Sequence, residues 1–212
     1  MSLQRSYTLL APFYDFVVSP LVARARAQSL SALHSAEPAD VLLDGVGTGL
    51  DLPLLDARHR YTALDITRAM LDRAVRRALA PRERGERRDE GKLALDLAWI
   101  QGDSEALPLA DAAFDCVVLH LIVAVVPHPE RALAEAARVT RAGGTLLVID
   151  KFLAPGAAAP LRRLLNPLAS RIASRTDVVF EDVLARVPTL RVRSDEAAAA
   201  GGWFRRITLT KL

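Results

Sequence analysis

Short leucine- and valine-rich runs recur from position 40 onward, each followed by a stretch with helical periodicity. That alternation restricts the chain to a largely parallel sheet covered by helices on its faces. Val41 to Asp44, Tyr61 to Asp65, Ala94 to Gln101, Phe114 to Leu119 and Thr145 to Lys151 read as strands, apolar enough to be buried on both sides. Thr67 to Ala80 reads as a helix, with Thr67 as N-cap, Met70, Leu71, Ala74, Val75 and Ala78 on one face, and Pro81 as its stop. Pro129 to Thr140 reads as another: Pro129 suits a first turn, Glu130 a helix N-terminus, and Gly143-Gly144 the end.

Two less regular regions flank this block. Residues 1 to 34 read as a helical cover, with Phe13, Phe16, Val17 and Leu21 apolar. Residues 153 to 212 run through a proline and alanine segment, a basic amphipathic helix around Leu161 to Ser174, and two late strands near Leu190 to Arg193 and Phe204 to Thr210. The alanine runs at 156 to 159 and 197 to 200 read as composition bias. With 212 residues the expectation is one domain spanning 1–212, with its core at 40–152.

Composition excludes several classes. Half of the residues are hydrophobic and a quarter charged, which places the chain among folded globular proteins. Apolar runs such as Leu121 to Val126 stop far short of the ~20 residues of a membrane-spanning helix. Met1 to Leu10 lacks the features of a secretory signal, and Cys116 is the single cysteine, so a cytoplasmic location is expected. The net charge of +3 is mild. The arginine-rich segment 81–90 alternates in sign and lacks interleaved aromatics, so it reads as a solvated loop and no nucleic-acid partner is expected.

The run Gly45-Val46-Gly47-Thr48-Gly49 follows the first strand directly. A glycine-rich turn between a strand and a helix is expected to leave backbone N–H groups unpaired toward a ligand, favouring an anion or carboxylate. The dinucleotide fingerprint requires GxGxxG, whereas Leu50 stands where its third glycine would fall, and no Gly-Lys-Ser/Thr follows to make a P-loop. Asp65 closes the second strand, beside that turn in a doubly wound sheet. Its carboxylate there could accept two hydrogen bonds from ribose hydroxyls, or cap the following helix. Asp103, after the third strand, lies on the same sheet edge and could accept from an adenine amino group, or simply shape a polar turn.

These pieces resemble the class I S-adenosylmethionine-dependent methyltransferases over roughly residues 40 to 152. GVGTG resembles the family's glycine motif, and Asp65-Ile66-Thr67-Arg68-Ala69-Met70-Leu71 its DxSxxML segment. Gly102 to Pro108 resembles GDAExLP, Phe114-Asp115-Cys116-Val117 resembles FDxV, and Ala136 to Gly144 resembles RVLKPGG. The resemblance implies an α/β fold: a Rossmann-like, doubly wound, seven-stranded sheet, mostly parallel with an antiparallel last strand. It implies S-adenosylmethionine as cofactor and S-adenosylhomocysteine as product. Gly45, Val46, Gly47, Thr48 and Gly49 would hold the methionine end, Asp65 the ribose hydroxyls, Ile66 and Met70 the adenine faces, and Asp103 with Ser104 the adenine edge. Tyr14, in a Tyr-Asp pair, would lie on a lid over the cofactor or else pack the N-terminal helix to the domain.

One departure stands out. The family's acid two residues before the first glycine is replaced by Leu43, while Asp44 occupies the intervening place. Asp51, just past the turn, is a candidate partner for the cofactor's ammonium group, or a helix-start residue. Methyl transfer from a sulfonium rests mainly on alignment and exclusion of water. A base would help a phenol or enol acceptor, and His120, following the fourth strand, is the candidate for that role or for packing against the cofactor. His128 fits a helix start, and His34 and His59 have no identifiable partner. No cluster with metal-ligand spacing is present, so no metal is expected.

The subgroup resemblance is to ubiquinone and menaquinone biosynthesis methyltransferases and to bacterial phosphatidylethanolamine N-methyltransferases, carried by the Tyr segment and by Val126-Pro127-His128-Pro129-Glu130-Arg131-Ala132-Leu133. It implies a small-molecule or lipid acceptor, with peripheral membrane contact through 160–175 or a solvated helix there. The glycine turn and Asp65 also leave open an NAD(P)-dependent oxidoreductase, and Leu43 leaves open a non-catalytic S-adenosylmethionine-binding protein.

Overall fold

The structure, a computed structural model, describes residues 20–34, 37–79, 95–153 and 178–212. Its spine is a sheet of β1 (Asp40–Asp44), β2 (Arg60–Asp65), β3 (Asp96–Gln101), β4 (Phe114–His120), β5 (Thr140–Lys151), β6 (Leu190–Ala199) and β7 (Phe204–Lys211). Helix α1 covers 20–34 and is followed by α2 (Arg68–Leu79), α3 (Pro129–Val139) and α4 (Phe180–Leu184). The strand order is β3-β2-β1-β4-β5-β7-β6. Strands β1 to β5 pair in parallel, and β7 inserts antiparallel between β5 and β6.

Because the chain leaves β1 toward β2 on one side and β4 pairs on the other, the order reverses at β1. Open α/β sheets take ligands at the carboxyl edge of such a reversal. Asp44, Asp65, Gln101 and His120 end β1, β2, β3 and β4 along that edge.

Successive strand residues alternate between the two faces. Leu42, Leu64, Val117, Leu119, Leu146 and Val148 pack toward α3 and α4 with Leu133, Ala136 and Phe180. Val41, Leu43, Tyr61, Ala63, Cys116 and Val118 pack toward α1 and α2 with Leu30, Leu33 and Ala74. Burying each such leucine contributes about 1.5–3 kcal/mol before ordering costs. Leu43 and Asp44 therefore face opposite ways.

Three sequence expectations shift. Helix α3 ends at Val139 and not at the glycine pair, because Thr140 turns extended (φ −79°, ψ 139°) and starts β5. Its buried hydroxyl donates to the Ala136 carbonyl at 2.6 Å, so Gly143 and Gly144 lie inside the strand, where pairing with β4 is irregular. Ala197 to Ala199, read as composition bias, belong to β6. His59 is buried and partnered: Ala39 N–H donates to Nδ1 at 3.1 Å and Nε2 lies 2.9 Å from the Leu33 carbonyl, fastening α1 to β2. Tyr14, the segment 81–90 and the basic stretch 160–175 lie outside the described residues. Among the described residues no helix is long and apolar enough to cross a membrane.

Candidate cofactor site

All three glycines of the turn after β1 have positive φ: 72° at Gly45, 55° at Gly47 and 80° at Gly49. L-residues adopt that region at a cost. Their surroundings separate them. A Cβ on Gly45 would meet Ile122 at 2.9 Å, and one on Gly49 would meet Leu52 at 2.7 Å and the α2 backbone at Ala74 at 3.1 Å. Those two glycines serve close packing. A Cβ on Gly47 would meet only the Gly45 carbonyl oxygen, at 3.9 Å, so this glycine borders open space where a ligand can approach the backbone.

The backbone donors of the turn are largely consumed within the protein, contrary to the expectation of free N–H groups. Val46 N–H donates to the Leu64 carbonyl at 2.8 Å, Gly47 N–H to Asp65 Oδ2 at 3.0 Å, and Gly49 N–H to the Val46 carbonyl at 2.9 Å. Such a turn is not a phosphate cradle, which needs several N–H groups aimed at the anion. Thr48 accepts from Arg77 of α2 through both its carbonyl (2.8 Å) and its hydroxyl (3.1 Å).

Asp65 links the turn to α2. Its Oδ1 accepts from Thr67 N–H (2.9 Å) and the Thr67 hydroxyl (3.1 Å), its Oδ2 from Gly47. Burial raises its pKa, opposed by these donors. Each oxygen keeps a second lone pair for a further donor. Beside it Ile66 is 44% exposed, leaving an apolar face uncovered, while Met70 is buried behind it in α2. Asp103 is exposed and its Oδ1 accepts from Glu105 N–H at 2.9 Å. Ser104 is buried, and its hydroxyl donates to Asp44 Oδ1 at 2.6 Å.

Asp51 makes no side-chain cap to the short 3-10 turn Leu52–Leu54 that it precedes. Arg26 Nη1 of α1 meets its Oδ1 at 2.7 Å, and His120 Nδ1 lies 3.0 Å from its Oδ2. His120 Nε2 lies 3.0 Å from the Ser29 hydroxyl, also of α1. All four side chains are buried. Burial works to raise the Asp51 pKa, yet His120 and Arg26 hold it well below the usual carboxylate range. A proton on His120 Nδ1 would donate to Asp51 Oδ2, and in the tautomer that carries it there Nε2 accepts from the Ser29 hydroxyl. Leu121, next after His120, takes φ +63° and brings Ile122 against Gly45.

Leu43 and Asp44 do not share a face. Leu43 lies in the apolar cluster on the α1 side, whereas Asp44 projects to the opposite face. Asp44 is 2% exposed, its Oδ2 has no partner among the described residues, and burial pushes its pKa up to about 7.

The sequence did not single out Arg26, Ser29 or Arg77. Arg26 also has a buried atom, Nε, without a partner among the described residues. An amino-acid cofactor with a ribose and an adenine presents a carboxylate, an ammonium, hydroxyls and an aromatic face. An unpartnered guanidinium N–H, carboxylates along the strand ends, open space at Gly47 and the exposed Ile66 match those groups, so the residues present fit the cofactor.

The methyltransferase domain family matches residues 42–148. The chain is 32% identical over 204 residues to a phosphatidylethanolamine N-methyltransferase of Cereibacter sphaeroides, covering 96% of this chain and 94% of that one. It is 36% identical over 147 residues to a demethylmenaquinone methyltransferase of Renibacterium salmoninarum, covering 66% of this chain and 55% of the relative. Among solved structures, a SAM-dependent methyltransferase from Aquifex aeolicus superposes with a TM-score of 0.65 at 15% identity, covering 100% of both chains.

Proposed function

The chain belongs to the class I S-adenosylmethionine-dependent methyltransferases, and from that premise we propose that it methylates the amine nitrogen of an aminophospholipid-type lipid. The observation that carries this reading is the reach of the phosphatidylethanolamine relative's match, 96% of this chain and 94% of that one. It extends past the cofactor core into the N-terminal and C-terminal segments. The demethylmenaquinone relative matches 55% of its own length, which weights the reading away from a quinone ring carbon.

The cofactor supplies an electrophilic methyl carbon on a sulfonium, for in-line displacement by the acceptor. In this reading Asp65 holds the ribose hydroxyls, Ile66 and Met70 flank the adenine, and Asp103 accepts from the adenine amino group. Gly47 lets the backbone approach the methionine end. Arg26 Nε donates to its carboxylate, and Asp51 retains lone pairs for its ammonium.

An alkylammonium has no lone pair to attack with, so the acceptor nitrogen must first lose a proton. His120 is the proposed acceptor of that proton at Nε2, with the Ser29 hydroxyl as the group displaced. Asp51 fixes the imidazole tautomer and stabilises the imidazolium that forms, as a carboxylate does behind a catalytic histidine. Exclusion of water falls to α1, which buries Arg26 and Ser29 over the turn.

The test is S-adenosylhomocysteine release on vesicles of phosphatidylethanolamine in phosphatidylcholine, beside vesicles carrying a demethylated quinone. Turnover requiring the aminolipid supports the reading. Turnover with the quinone alone overturns the acceptor assignment.

A further inference from the structure

Asp44 is a buried ionisable group on the carboxyl edge of the sheet. It ends β1 immediately before Gly45, is 2% exposed, and accepts a single hydrogen bond, from Ser104 at 2.6 Å. Among the described residues its buried Oδ2 has no partner. The groups that face it from the packed elements are anionic: Asp65 at the end of β2, Asp103 in the loop after β3, and Glu135 of α3. Glu135 is also paired with Arg138 at 2.7 Å, and of the three it acts least on Asp44.

We propose that Asp44 makes the site read the charge of the cofactor, holding the positively charged sulfonium in preference to the neutral thioether left after transfer. The proposal rests on the cofactor assignment above and concerns a residue acting through its field, not through contact. An isolated buried carboxylate is costly and neutralises by taking a proton. A cation brought into the same low-dielectric space restores the ionised form.

Charges balance through the cycle. With the sulfonium form bound, Asp44 would release its proton to solvent and remain a carboxylate. On transfer, the sulfur–methyl bond breaks with its electron pair remaining on sulfur. The acceptor gains the methyl group and loses its own proton to the base, and Asp44 takes a proton back from solvent. The spent cofactor then meets a site with one charge fewer to hold.

Burial and its acidic neighbours place Asp44 at about 7, so at that pH it is half protonated. Calorimetry in two buffers of different ionisation heat at pH 7 should show release of up to about half a proton on binding S-adenosylmethionine, and close to none on binding S-adenosylhomocysteine. Asp44→Asn should abolish that difference. Ser104→Ala removes the hydrogen bond that favours the ionised form and should move the midpoint of release above pH 7, a readout that survives if the Asn variant does not fold. Equal proton release by the two ligands, or a difference that persists in Asp44→Asn, overturns this inference alone. Failure of the native chain to bind either ligand overturns the cofactor assignment with it.

Discussion

Replacing Asp44 by Asn should stabilise the unliganded protein at pH 8 far more than at pH 5. The carboxyl titrates near its ordinary value of 3.8 in the unfolded chain and at about 7 in the fold. Raised in the native state, this group contributes stability that is fully present below about pH 4 and is lost as pH rises through 7. Three pKa units correspond to about 4 kcal/mol once both forms are ionised. At pH 5 only the unfolded chain has ionised, and about 1.5 kcal/mol of that loss has accrued. The native protein should therefore lose about 2.5 kcal/mol between pH 5 and pH 8 that the Asn variant does not lose. That is a large share of the 5–15 kcal/mol typical of a domain. The amide of Asn brings its own hydrogen-bonding demands beside Ser104, but these are independent of pH and cancel in the difference. Asp150 titrates in the same sense, pushed up by burial to about 6, and cancels likewise because both proteins carry it. Urea unfolding of the two proteins at both pH values measures the quantity, provided the slopes with denaturant agree. Parallel stability profiles, differing by less than about 0.5 kcal/mol across that range, would refute an uncompensated carboxylate at this position.

Three further outcomes are expected. Asp51→Ala leaves Arg26 buried without its counter-ion and should cost about 3–5 kcal/mol in urea unfolding, much of it recovered in the double variant Arg26→Met/Asp51→Leu. Gly47→Ala strains a positive-φ position by about 1–2 kcal/mol but projects into open space, so it should weaken S-adenosylhomocysteine binding in titrations more than it lowers the melting temperature; Gly49→Ala, which meets Leu52 and the α2 backbone, should do the reverse. Asp65→Asn keeps the shape but loses the charge that accepts from Gly47 and Thr67, and calorimetry should find S-adenosylhomocysteine binding weakened by at least about tenfold.

The strands flanking the glycine turn were legible because parallel strands buried on both faces leave continuous apolar runs, and Val41 to Leu43 and Cys116 to Leu119 are such runs. The pattern left open whether Asp44 or Asp51 replaces the acid missing at Leu43. The end of α3 was not legible: a glycine pair is a strong local stop, yet Thr140 yields earlier to pairing with β4. Within the site, Asp65 announced itself by its place at a strand end. Arg26 and Ser29 could not, since they belong to a cover helix with no motif and meet partners 25 and 91 positions away. His59 was opaque for the same reason, its partners being backbone atoms of other segments. Nor could any pattern reveal that Asp44 Oδ2 goes unpartnered among the described residues, which is a property of packing.

The buried chain of Arg26, Asp51, His120 and Ser29 ties the cover helix, the segment after the glycine turn and the end of β4 into one cooperative unit. Peeling α1 away would separate a carboxylate from its guanidinium and strip the imidazole of its hydroxyl in a single event, so partial detachment gains nothing. Amide protons of 20–34 and of the turn should consequently exchange with solvent at one shared opening rate, making access to the site an all-or-none local unfolding instead of a graded breathing of the surface.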